Sequence, residues 1–318
     1  MDQRSQRLLL LDTASLYYRA FFGMPDSLRA PDGTPVNAVR GLLDFIARLV
    51  NDHQPTHLVA CLDADWRPAW RVELIPSYKA HRAVEVVAQE NGIDIEEAED
   101  TPDELALQVP IILEVLDALG IATLGVKGYE ADDVIGTLTA RSKLAVGVVT
   151  GDRDLFQLVD DSKNRRVFYT AARGVSRLDV VTEDWIAQKY AIPGRTYADF
   201  ATLRGDSSDG LPGVRGIGDK TAASLLTEYG SLERVISAAH DDSSTMKQSV
   251  RQKILAGLDY LAVAPKVVAV ALDVPVPQDL DDRLPTAPAD AQDLAFLRER
   301  WGIASSVDRV TQALSFPA

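Results

Sequence analysis

The 318-residue chain has one cysteine, Cys61, and four histidines. A lone thiol cannot close a disulfide within the chain, and with so few imidazoles it does not make a zinc centre. No apolar run approaches the roughly 18 residues that span a bilayer, so no membrane partner is expected. The opening Met1-Asp2-Gln3-Arg4 leads straight into an apolar run without the pattern of a secretion signal. A reducing, cytoplasmic setting is the expectation. Basic charge is also short: 33 Lys and Arg against 47 Asp and Glu give a net charge of −14. That balance argues naively against nucleic acid. It weakens if the acids are clustered and hold divalent cations, because binding to a polyanion depends on a local basic stripe rather than on the total. With 46% hydrophobic residues the chain has core enough for one large domain or two modest ones.

Short continuous apolar runs suit strands buried on both faces, and three occur, at residues 8–11, 57–62 and 145–150. Between them Val39, Leu42, Leu43, Ile46, Leu49 and Val50 recur at helical spacing and predict a helix over 37–53. A second is expected over 104–119, ending at Gly120 as a C-cap, and a third over 130–142. Strands alternating with helices imply an α/β fold with a mainly parallel central sheet flanked by helices. After about Arg177 the pattern changes to short helices punctuated by Gly and Pro, among them 182–190 (Thr182 as N-cap), 220–229 and 290–301. Residues 274–289, rich in Pro and Asp, are expected to run over the surface. Residues 83–103 carry many acids and few bulky side chains, a composition that favours mobility.

Nine carboxylates recur at punctuated places. Asp12, Asp63 and Asp152 follow the three strand-like runs, and ligands of an open α/β sheet collect beyond the carboxyl ends of its strands. Glu130, Asp132 and Asp133 crowd the start of a helix, with Asp132 pointing about 100° away from its neighbours' face. Asp152 and Asp154 alternate in a Gly-Asp-Arg-Asp turn, and Asp206 and Asp209 flank Ser207-Ser208. Singly, each reads as a helix cap or turn residue. Together they would repel strongly unless cations sat between them. Donors that are all oxygen point to Mg²⁺ or Mn²⁺.

A second motif is Gly213-Val214-Arg215-Gly216-Ile217-Gly218-Asp219-Lys220-Thr221, leading into a helix. Glycines allow a tight turn and close backbone approach. The N–H groups of the following helix offer a seat for a phosphate oxygen, beside the charge of Lys220 and the hydroxyl of Thr221. It resembles the hairpin of helix-hairpin-helix elements, which grip a nucleic-acid backbone without reading bases. A third group is Arg71, Tyr78, Lys79 and Arg82: cations for phosphates beside a ring on which an unpaired base can stack.

Taken in order, these stretches resemble the bacterial 5′-nuclease (flap endonuclease) family, which occurs as the N-terminal domain of DNA polymerase I or as a free-standing protein. The matching segments are Leu10-Leu11-Asp12 with Tyr18-Arg19-Ala20-Phe21, Leu62-Asp63, and Pro76-Ser77-Tyr78-Lys79-Ala80-His81-Arg82. Further along come Glu130-Ala131-Asp132-Asp133-Val134-Ile135-Gly136, Gly151-Asp152-Arg153-Asp154-Leu155, and Gly205-Asp206-Ser207-Ser208-Asp209 before the hairpin. The likeness covers nearly the whole chain and fits a stand-alone member.

The resemblance implies a PIN-like, Rossmann-like nuclease core over 1–177, with a helical arch at about 77–108. A helical DNA-binding part with the 213–221 hairpin and a C-terminal extension would fill 178–318. It implies one metal on Asp12, Asp63, Glu130 and Asp132, and a second bridged by Asp132 to Asp152, Asp154 and Asp209. Asp133 and Asp206 would act as outer or third-ion acids. Arg19, Arg71, Tyr78, Lys79, Arg82, Gly213, Gly216, Gly218, Lys220 and Thr221 would meet DNA, with K⁺ at the hairpin. Lys79, Arg82, Asp132 and Asp152 would carry catalysis. The implied activity is metal-dependent 5′-3′ exonuclease and 5′-flap cutting during replication and repair, on DNA with 5′ ends, flaps, nicks or gaps and on RNA primers. A polymerase and a ligase would be functional partners. The arch departs from the family pattern: Glu85, Glu90, Asp94, Glu96, Glu97, Glu99, Asp100, Asp103 and Glu104 make it acidic. A PIN-like ribonuclease and a non-catalytic binder of branched DNA are the alternative readings.

Overall fold

The computed structural model describes residues 6–89, 93–171 and 174–316. Its strands are β1 (Arg7–Asp12), β2 (His57–Cys61), β3 (Ala83–Gln89), β4 (Ile93–Glu99), β5 (Ala122–Leu124), β6 (Ala145–Thr150), β7 (Arg165–Tyr169) and β8 (Asp179–Val181). Six of them make one sheet in the order β5-β2-β1-β6-β7-β8. Every pairing in it is parallel except that of β7 with β8. The register sets Leu10 beside Val59 on one side and Val148 on the other. In the central strand side chains alternate between two cores. Leu8 and Leu10 enter one apolar cluster with Val59, Val146 and Val148, while Leu9 and Leu11 enter the opposite one with Leu58 and Val149. This two-sided burial is why the run is continuously apolar. Each such leucine contributes about 1.5–3 kcal/mol.

The helices are α1 (Thr13–Gly23), α2 (Asn37–His53), α3 (Ala69–Leu74), α4 (Asp103–Ala106), α5 (Gln108–Leu119) and α6 (Ala131–Arg141), then α7 (Glu183–Tyr190), α8 (Tyr197–Arg204), α9 (Asp219–Tyr229) and α10 (Leu232–His240). The last four are α11 (Gln248–Ala256), α12 (Leu258–Val268), α13 (Ala291–Arg300) and α14 (Ala304–Ala313). Gly120 closes α5 in the left-handed region, and the Thr182 hydroxyl caps α7 by accepting from Trp185 N–H. The helix expected over 104–119 is split at Leu107. Pro110 has no N–H to give the Ala106 carbonyl, so a new helix starts with the proline in its first turn.

The arch is not helical over Ala83–Gln89 and Ile93–Glu99, where most of its acids lie; Asp103 and Glu104 open α4. β3 and β4 pair antiparallel, Val84 opposite Ala98 and Val87 opposite Ile95. The segment's Val84, Val86, Val87, Ile93 and Ile95 favour extended backbone, against the helical arch that the resemblance implies. Glu90 lies outside the described residues. The sheet continues past residue 177 through β8, and the C-terminal helices do not stay with the hairpin. Trp301, Ile303, Val307 and Val310 share the apolar cluster of Val39, Leu42 and Leu43 on α2, closing the far side of the N-terminal core. Residues 274–289 are also more than a surface run. Val274 and Val276 are buried, and Asp282 accepts from Leu58 N–H at 2.8 Å.

Candidate active site

Beyond the carboxyl ends of β1, β2 and β6 opens a cavity of about 620 Å³ lined by Asp12, Asp63, Glu130, Asp132 and Asp152, with Lys79 and Arg82 on its wall. Local structure aims each acid. Asp12 ends β1 and caps α1, accepting from Ser15 N–H at 3.2 Å and from the Thr150 hydroxyl at 2.6 Å. Asp63 follows β2 and accepts from Ala131 N–H at 2.8 Å. Glu130 and Asp133 form a reciprocal capping box at the start of α6, leaving Asp132 on the cavity side. Asp152 follows β6 and accepts from Asp154 N–H at 2.9 Å.

Burial and mutual repulsion dominate the electrostatics. The Asp12 carboxyl is pushed up to about 7, first by burial and then by the charge of Asp63, against the pull of Thr150 and Ser15. Asp132 lies well above the ordinary range through burial, with Asp12, Asp152 and Glu130 adding to it. Asp154 and Asp209 are raised by burial and by Asp152. Asp154 Oδ1 is buried without a hydrogen-bond partner. These three acids form a second group adjoining the first.

Facing the acids is a loop clamped in place. Lys79 holds a left-handed φ of +48° and donates its N–H to the Asp209 carbonyl at 2.9 Å. A non-glycine there stores strain of about 1–3 kcal/mol, sustained by the surrounding contacts. The Lys79 ammonium pairs with Glu130. Burial opposes that charge, yet Glu130 and its neighbours raise the ammonium well above its usual range. Arg82 reaches the Ser208 carbonyl at 2.6 Å and Asp209 Oδ1 at 2.9 Å.

Five expected site residues are placed elsewhere. Arg71 is 2% exposed and cannot meet DNA: its guanidinium is bidentate with Asp133 at 2.7 Å and also donates to Glu130 and to the Val267 carbonyl. Asp133 is thereby committed, since its oxygens accept from Arg71, Glu130 N–H and Ala271 N–H. Tyr78 is 4% exposed and offers no stacking face; its hydroxyl donates to Glu130 at 2.7 Å. Asp206 caps its own turn through Ser208 and pairs with Arg153 and Arg204, outside the cavity wall. Arg19 lines a separate groove with Gly174 and Arg48.

The donors in and beside the cavity are carboxylate oxygens, which suit a hard divalent cation. The orphaned Asp154 oxygen and the raised Asp12 and Asp132 are what a cation would relieve. Among the described residues no three such side chains already stand as one ion's ligands. Glu130, turned toward Lys79, Arg71 and Tyr78, is the acid furthest from that role.

The profile of the 5′-3′ exonuclease N-terminal resolvase-like domain matches residues 7–191, and that of the 5′-3′ exonuclease C-terminal SAM fold matches residues 192–292. The chain belongs to the 5′-3′ exonuclease family. A 5′-3′ exonuclease of Streptomyces coelicolor is 59% identical over 307 residues, covering 96% of this chain and 100% of the relative. DNA polymerase I of Mycobacterium bovis is 38% identical over 284 residues, 88% of this chain but 29% of the polymerase. The fold is shared with the bacteriophage T5 D15 flap endonuclease, at a TM-score of 0.62 and 16% identity over 97% of this chain and 98% of that one. The T5 protein was solved as a pseudo-enzyme–product complex with DNA and metal ions.

In this exonuclease the hairpin joins α8 to α9. Val214 and Ile217 are buried anchors, while Arg215, Gly216, Gly218 and Lys220 are exposed. Gly213 has φ +65°, and a Cβ there would meet the Arg204 carbonyl at 2.5 Å, so the turn requires glycine. Gly218 has an ordinary φ of −102° and caps α9, with open space where a Cβ would stand. Thr221 donates its N–H to the Gly218 carbonyl at 3.0 Å. The Gly216 carbonyl, one of the hairpin oxygens, accepts from Lys253 Nζ at 3.0 Å. Sequence reasoning passed over Tyr18, Trp66 and Ser208 as cavity-lining residues, and Thr150 as the donor to Asp12. Ser15, three residues after an N-cap aspartate, was the one readable signal among these neighbours.

Proposed function

We propose that the protein hydrolyses phosphodiester bonds of DNA from 5′ ends and at 5′ flaps, nicks and gaps, using divalent ions. The observation that carries this reading is the facing of Asp12, Asp63, Asp132 and Asp152 across one cavity whose wall holds Lys79 and Arg82. Asp12, Asp63 and Asp132 would hold one ion, and Asp152, Asp154 and Asp209 the other. When bound, such ions activate water and stabilise charge on the scissile phosphate. Lys79 and Arg82 supply further positive charge where the phosphate's negative charge develops. Glu130 holds the Lys79 ammonium, and Arg71 in turn holds Glu130. The hairpin grips duplex backbone through exposed N–H groups and Lys220. The likeness to a region of DNA polymerase I supports work alongside a polymerase; a ligase would then seal the nicks that remain.

Cleavage of matched 5′-flap, nicked, gapped and RNA substrates, with Mg²⁺ or Mn²⁺ added after chelation, tests the reading. Asp132→Asn and Asp152→Asn should each lower DNA cleavage at least about a hundredfold with the fold unchanged. Full cleavage by both variants, or a preference for RNA without DNA cleavage, would sink it.

A further inference from the structure

Lys253 lies on α11 next to Ile254, which is fully buried and ties that helix to the core. The helix also leans on the hairpin, since a Cβ on Gly257 would meet Val214 Cγ1 at 3.2 Å. Held in this way, Lys253 Nζ donates to the Gly216 carbonyl at 3.0 Å, and its Cε lies 3.0 Å from where a Gly216 Cβ would stand. The side chain remains exposed, beside the exposed Arg215 and Lys220 of the same turn. An ammonium has three protons. One is given to the carbonyl, and the others are free for an anion approaching the hairpin from solvent. Asp219, exposed in the first turn of α9, is the one acid in the hairpin motif itself.

A cation placed between a carbonyl dipole and a phosphate attracts both. A free monovalent ion would fill that role only while it stayed bound. Here the positive charge is tethered to the fold and already seated on a hairpin carbonyl, the kind of oxygen such an ion would use. We propose that Lys253 is a phosphate-binding residue of the hairpin and stands in place of a monovalent cation, so that the grip on duplex DNA does not depend on K⁺. The proposal rests on the reading of the hairpin as a backbone-gripping element.

Equilibrium binding of a labelled nicked duplex by full-length Asp132→Asn protein tests it, with Lys253→Met, Lys253→Arg and Lys220→Met added singly. Each is titrated in K⁺ and in tetramethylammonium salts at equal ionic strength, and circular dichroism checks the fold. In the tetramethylammonium salt Lys253→Met should weaken duplex binding about tenfold and lower the slope of log affinity against log salt by about 0.9, while Lys253→Arg retains most of the affinity. The protein with Lys253 should bind equally in both salts, and Lys253→Met should recover affinity only in K⁺. A K⁺ requirement with Lys253 in place, or an unchanged slope in Lys253→Met, overturns the proposal. If Lys220→Met weakens duplex binding and Lys253→Met does not, Lys253 has no such role and the hairpin reading stands. If neither variant alters binding, the hairpin reading itself fails.

Discussion

Around the guanidinium of Arg71 stand both oxygens of Asp133, one of Glu130 and the Val267 carbonyl, all sealed from water. Replacing that arginine with methionine leaves the buried Asp133 carboxylate without its counter-charge and Glu130 with Lys79 alone. Removing one partner of such a group costs about 3–5 kcal/mol. Arg71→Met should therefore lose that much unfolding free energy in urea, and Arg71→Lys should recover only part of it, because an ammonium cannot span two oxygens in the same plane. A loss below about 1 kcal/mol for Arg71→Met would show the network to be incidental. The same residue marks the limit of legibility at this scale. Asp12, Asp63 and Asp152 could be read as site residues because an apolar run ends just before each, and strand ends share an edge. Arg71 and Tyr78 looked like exposed basic and aromatic contacts. Their burial depends on α12 and the chain after it, some two hundred residues away, and no local pattern reports that.

Elements with strong internal periodicity were legible almost to the residue: α2, β6, the Gly120 C-cap and the Thr182 N-cap. The β3–β4 pair was not, since the acids masked the extended preference of its β-branched residues and the resemblance implied a helix there. Also hidden was the latch between the loop of Lys79 and the turn of Asp209. Ser77 Oγ donates to the Gly210 carbonyl at 2.7 Å, and Gly210, at φ +68°, leaves room for nothing larger, because a Cβ would sit 2.0 Å from the Ser77 carbonyl oxygen. Gly210→Ala must push the two loops apart, shifting Lys79 and Arg82 relative to the acids. A displacement near 1 Å at a reacting centre costs on the order of a hundredfold in rate. We expect Gly210→Ala to lower kcat on a flap substrate by about ten- to a hundredfold, while duplex affinity through the hairpin changes little. Single-turnover cleavage paired with equilibrium binding separates the two. Equal losses in both would mean the latch supports the whole fold rather than the site.

At the scale of the molecule, a net charge of −14 with acids concentrated at one cavity makes stability depend on pH and on divalent ions together. Asp12 is raised from 3.8 to about 7 by burial and by Asp63, and Asp132 is raised in the same direction. Both titrate near 3.8 in the unfolded chain. Between about pH 4 and pH 7 the folded protein therefore keeps protons that the unfolded chain has released, so unfolding free energy falls as pH rises through that window and stays low above it. The size at pH 8 is on the order of a few kcal/mol, shared between two interacting acids rather than summed over them. A divalent cation binds only the deprotonated carboxylates, so it should restore the lost stability at pH 8 and do little at pH 5. Thermal melts of the chelated protein should show a lower Tm at pH 8 than at pH 5, with Mg²⁺ closing most of the gap. Asp132→Asn removes one of the repelling charges. It should raise the metal-free Tm at pH 8, flatten the dependence on pH and blunt the response to Mg²⁺, which separates the cavity's contribution from the general repulsion of an acidic surface. If metal-free stability instead rises from pH 5 to pH 8, or if Asp132→Asn melts lower than the parent at pH 8 without metal, the acids are not held together against their own charge.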